Sequence, residues 1–164
     1  MKSQVRLYNI IFPIWLLILF PQTWIVVIPA NLIIDFLVLY LSLRSVSPEV
    51  RKQTVRHSLW RVYLCGFASD ILAALPMLLA MMADFGEWWI RNVQITVFNP
   101  FATVYSFLWA AGCVVIGGVL IYLFNRHLCL NHCGLSDRQK HKTALMMAIF
   151  TAPYLFLFPT MLLY

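Results

Sequence analysis

Residues 44–61, RSVSPEVRKQTVRHSLWR, carry five of the twelve Lys and Arg residues of a chain that is 62% hydrophobic and 11% charged. Apolar runs flank this stretch on both sides, so the chain leaves an apolar environment here and then returns to it. Upstream lies Leu7–Leu43; downstream lies Val62–Met82. A soluble domain of 164 residues could not hide so much apolar surface. A helical bundle that uses lipid as part of its solvent can. The fold class expected is therefore all-α: a polytopic transmembrane helical bundle, with residues 1–164 forming a single integral membrane domain.

The upstream block is too long for one ordinary span. Pro13, Pro21 and Pro29 punctuate it, and Phe20-Pro21-Gln22-Thr23-Trp24 is its most turn-like stretch. Dividing it there gives a short first span, 7–20, and a full-length second, 24–43. The first covers about 21 Å against a hydrocarbon core of about 30 Å, so Arg6 snorkelling or local thinning must close the difference. A re-entrant hairpin in place of that first span would preserve the same sidedness.

After the basic connection, Ser47-Pro48-Glu49 reads as an N-cap, a proline at the first helical position and an acid in the first turn. The helix it starts runs into a third span, 62–82, with a kink expected at Pro76. Residues 83–100 are polar and aromatic, and Trp88 and Trp89 suit a membrane interface. Val93–Phe98 alternates apolar and polar residues as a strand would, although one isolated strand is weak evidence. A fourth span covers 101–124. A second basic connection, 125–143, contains Ser136-Asp137-Arg138-Gln139, which has capping-box spacing. A fifth span, 144–163, carries Pro153 and Pro159 as irregularities.

With five spans, eleven of the twelve cationic residues fall on one side and only Arg91 on the other. The positive-inside rule makes that side cytoplasmic, with the N-terminus in and the C-terminus out. Four spans would separate Lys2 and Arg6 from Arg44–Arg61. The compact, cleanly biased chain suits the inner (plasma) membrane of a bacterium. No A-x-A-like cleavage site follows the first apolar run, so a retained anchor is expected there. The net charge of +6 records orientation and attraction to anionic headgroups rather than nucleic-acid binding, because no soluble basic domain remains outside the spans.

Two acids lie within apolar spans. Asp35 stands nine residues before Arg44, and Asp70 nine residues after Arg61. Antiparallel spans would put both at one depth, about 13 Å from the basic end. An ionisable group there costs about 2.5–3.5 kcal/mol, so it should face protein or a water-filled cavity. Asn31 shares a helix face with Asp35. Gly66 and Ala73 flank Asp70, while Ser106, Ala110 and Gly117 form a small-residue stripe suited to close helix packing. The chemistry suggested is a proton or cation shared by Asp35 and Asp70, since two close carboxylates in low dielectric cannot both ionise cheaply. The plainer reading is that each acid is neutral, or hydrogen-bonded to Asn31, Ser69, Tyr or Trp groups, and simply fixes packing.

The second basic connection crowds His127, Cys129, His132, Cys133 and His141 together. Of these, His127, Cys129, His132 and Cys133 could supply four zinc ligands, although the spacing is not that of a zinc finger. The alternative is that the segment continues the fourth span and that its cations cap the helix dipole. No other cofactor is implied. Enzyme motifs such as H-E-x-x-H, G-x-S-x-G and a Walker A loop are absent, which weighs against catalysis. The leading expectation is a non-catalytic subunit of a membrane complex that packs with copies of itself or with other membrane proteins. A proton- or cation-conducting channel or transporter subunit using Asp35 and Asp70 is the alternative, and an intramembrane enzyme is a more distant third.

Overall fold

The computed structural model describes residues 21–131 and 133–159, and it contains helices, turns and loops with no strand among those residues. The expected first span, 7–20, lies outside the described residues. Helix α1 is described over Pro21–Ser42 and so includes most of the stretch read as turn-like. Pro29 lies within it. A 3₁₀ turn, Leu43–Ser45, then leads to α2, Pro48–Met82.

Ser47 occupies the N-cap of α2 in an extended conformation, but its side chain makes no capping hydrogen bond. The start is fixed instead by Pro48 and by Glu49 in the first turn. At 35 residues, α2 is about 52 Å long, well beyond the ~30 Å of a hydrocarbon core. Its basic N-terminal part therefore extends past the apolar part. Pro76 sits inside the helix without ending it.

The segment after α2 folds back onto the end of that helix. The Trp89 indole donates to the Ala80 carbonyl at 3.0 Å, and the Gln94 amide donates to Met81 at 2.6 Å. These side chains satisfy carbonyls that a helix C-terminus leaves without partners. The demand explains why 93–98 is not a strand. Instead α3, Glu87–Asn92, is followed by a 3₁₀ turn, Gln94–Val97, which buries Val93, Thr96 and Val97.

Helix α4, Val104–Phe124, opens on a capping box between Thr103 and Ser106 and passes into a π-helical turn, Asn125–Cys129. Helix α5, Asp137–Phe150, opens on the capping box of Ser136 and Gln139. It stops well short of the fifth span expected over 144–163. Thr151 and Ala152 lead into Pro153, whose ring disfavours helix in the residue before it, and a short 3₁₀ turn follows at Tyr154–Leu157. Among the described residues, three stretches are long and apolar enough to cross a membrane: Ile28–Ser45, Pro48–Met82 and Val104–Cys129. The five-span count and its orientation go beyond what these helices establish.

The four longer helices form a ring. Helix α2 packs between α1 and α4, while α5 packs between α4 and α1. The largest buried apolar cluster sits toward the basic ends of these helices. Leu39 and Leu43 meet Val55 and Val62 there, together with Ile121, Cys129, Leu130, Leu135, Met147 and Ala148. Farther along α2 the outer face is apolar and exposed, with Ile71, Leu75, Leu79 and Met82 uncovered. That is the surface a lipid-facing helix presents.

Candidate functional site

The α1–α2 seam is built around a glycine. A Cβ on Gly66 would lie 3.6 Å from the Asp35 Oδ2 atom, so the carboxylate of α1 rests over the bare backbone of α2. Asp70 follows one turn after Gly66, near enough for its charge to act on Asp35. Asp35 is 7% exposed; Asp70 is half-buried, and its Oδ1 atom is buried without a hydrogen-bond partner.

Hydroxyl and indole donors on these helices bond to backbone carbonyls. Ser69 donates to the Cys65 carbonyl at 2.8 Å, and Ser42 donates to Leu39 at 2.8 Å. Tyr63 donates to the Ile28 carbonyl of α1 at 3.2 Å. Trp109 reaches across from α4 to the Pro76 carbonyl at 3.2 Å. Asn31 is half-buried on α1. Among the described residues, neither acid is paired with a cation; the ion pairs are Arg91–Glu87 and Lys140–Asp137, both in connecting regions.

Ala73, Ser106, Ala110 and Gly117 are all buried. A Cβ on Gly117 would lie 2.5 Å from the Pro153 ring and 3.2 Å from Ala73, so this glycine lets α2, α4 and the turn after α5 meet. Ser106 closes the opposite end of the same stripe, its hydroxyl oxygen accepting from the Thr103 N–H at 2.9 Å and lying 3.1 Å from the Pro100 carbonyl to which it donates.

In the histidine–cysteine segment His127 is exposed while Cys129 is buried, and His132 lies outside the described residues. No group of three His, Cys, Asp or Glu side chains is placed to hold a metal among the described residues. Three cysteines gather across the fold. Cys65 of α2 and Cys133 pack against the buried cluster that includes Cys129, and Cys133 donates to the Cys129 carbonyl at 3.6 Å. The place of Cys65 in this group follows from the pairing of α2 with the end of α4. Burial pushes the Cys133 thiol up, against the opposing influence of Arg61, the Ser58 hydroxyl and Lys140.

No family model, curated protein or solved structure matches this chain.

Proposed function

We propose that this chain is an integral membrane protein that takes up a proton or a small cation between Asp35 and Asp70. One observation carries the reading: the Asp70 Oδ1 atom is buried without a hydrogen-bond partner, while the Tyr63 and Ser69 hydroxyls on the same helix are bonded to backbone carbonyls. A buried carboxylate with no donor and no cation is costly, and a second one nearby adds to the cost. A proton or a cation held between them relieves both costs. The half-buried Asp70 is the entry side, and the buried Asp35 is the inner partner. By the positive-inside rule, the end that gathers Arg44–Arg61, Arg126 and Arg138–Lys142 faces the cytoplasm.

The test is proton and monovalent-cation uptake by proteoliposomes containing the full chain. Wild type should take up the ion, and Asp35→Asn should abolish uptake while leaving the protein folded. Equal uptake by both would remove the proposal.

A second reading rests on the exposed edge of Asp70. A basic side chain of a neighbouring subunit could dock there, which would make the chain a non-catalytic subunit of a membrane complex. Native mass in lipid separates the two readings. A complex that falls apart in Asp70→Asn but persists in Asp35→Asn supports the subunit.

A further inference from the structure

At the basic end, α4 leaves its apolar stretch through the π turn Asn125–Cys129. Such turns are rare and recur at functional sites. Arg126, on this turn, donates from its guanidinium to the hydroxyl of Tyr122 in the turn before. The same hydroxyl meets Nδ1 of His141, from α5, at 2.8 Å. The two rings pack edge to face, with centroids 5.6 Å apart.

A guanidinium can only donate, so the Tyr122 oxygen accepts from Arg126 and its own hydrogen is available to Nδ1 of His141. In that arrangement the neutral imidazole carries its proton on Nε2. The result is a cluster with donors to spare and no acid: the remaining Arg126 N–H groups and the His141 Nε2–H. Arg126 is half-buried and makes no ion pair among the described residues. Its guanidinium is positioned by Tyr122 rather than neutralised.

The surroundings select the ligand. Val115, Val119 and Leu123 run along α4 toward Arg126 at helical spacing, and all three are exposed. On antiparallel α5, Leu145 and Ile149 follow His141 at the same spacing and are exposed too. An apolar track therefore ends at a fixed cluster of donors. That pattern matches an amphiphile whose anionic head is a phosphate group, because guanidinium and imidazole N–H groups suit phosphate oxygens.

We propose that Arg126, Tyr122 and His141 bind the phosphate of an anionic phospholipid headgroup, with an acyl chain lying along Val119, Leu123 and Leu145. A free phosphate would satisfy the donors but leave the apolar track uncovered. A zwitterionic lipid brings an ammonium group for which the cluster offers no carboxylate. The site is independent of the acid pair, so either proposal can fail alone.

The test is native mass spectrometry of the full chain released from nanodiscs that contain phosphatidylcholine and phosphatidylglycerol. Wild type should retain phosphatidylglycerol in preference to phosphatidylcholine. Arg126→Gln should lower that retention roughly tenfold, the loss expected for a charge-assisted hydrogen bond pair. Tyr122→Phe keeps the ring, releases the guanidinium and should lower retention less. It also serves as the reading if Arg126→Gln does not fold. Arg138→Gln, an exposed cation outside the cluster, should change nothing. Equal retention of the two lipids by wild type would overturn the proposal, as would equal losses in Arg126→Gln and Arg138→Gln. Displacement of the lipid by inorganic phosphate at the same concentration as soluble short-chain phosphatidylglycerol would overturn the headgroup assignment.

Discussion

The acid pair on the α1–α2 seam and the Arg126–Tyr122–His141 cluster at the basic end handle buried polarity in opposite ways. On α2 the Tyr63 and Ser69 hydroxyls donate to backbone carbonyls, and the buried Asp70 Oδ1 atom has no partner. At the basic end, one tyrosine hydroxyl accepts from a guanidinium and hydrogen-bonds an imidazole. The first arrangement leaves a buried polar atom unmatched; the second uses hydrogen bonds to hold two helices in register. Stability measurements should therefore move in opposite directions when the two places are made neutral.

The packed seam between α2 and α4 is the reference for both. Gly117→Leu forces a side chain into space already held by Pro153 and Ala73, and should cost about 3 kcal/mol, read as a lower unfolding midpoint in mild detergent. Unchanged stability would mean that this seam is loose and a poor standard. Next in size, Asp35→Asn and Asp70→Asn should each raise stability, by up to about 2 kcal/mol, because a costly buried charge is removed. A loss of stability in either would show that the acids are structurally satisfied, and the contrast between the two regions would disappear.

Tyr122→Phe should act with the opposite sign, lowering stability by about 1 kcal/mol through the loss of two hydrogen bonds at a half-buried site. The smallest effect is kinetic. With its thiol pushed up by burial, Cys133 carries little thiolate at neutral pH. Alkylation should be slower than that of free cysteine at pH 7.5, and should accelerate only as pH climbs beyond the ordinary thiol range near about 8.5. A rate equal to free cysteine at neutral pH would contradict that burial.

What the chain discloses before folding depends on the range of the interaction concerned. Local signals were readable: the apolar helices on either side of Arg44–Arg61, proline at the start of α2, and the capping box of Ser136 and Gln139. The nearness of Asp35 and Asp70 could be reckoned from their equal offsets from the basic connection, because two helices joined by a short turn must run antiparallel. Signals that depend on tertiary demand were not readable. The alternation in 93–98 looked extended, but the open carbonyls at the end of α2 draw Trp89 and Gln94 into a helical return. The helical apolar pattern continued past Phe150, yet Pro153 wedges against Gly117 and ends the helix early. His141 gave no sign of its partner, since the contact with Tyr122 depends on the register of α4 against α5.

The most direct measurement is the infrared difference spectrum of the full chain in lipid as it takes up protons. If Asp35 and Asp70 act as one unit, the carboxyl band that responds in wild type should vanish in Asp35→Asn and in Asp70→Asn alike. Two bands, each lost with only its own residue, would show two separate acids and contradict the shared site.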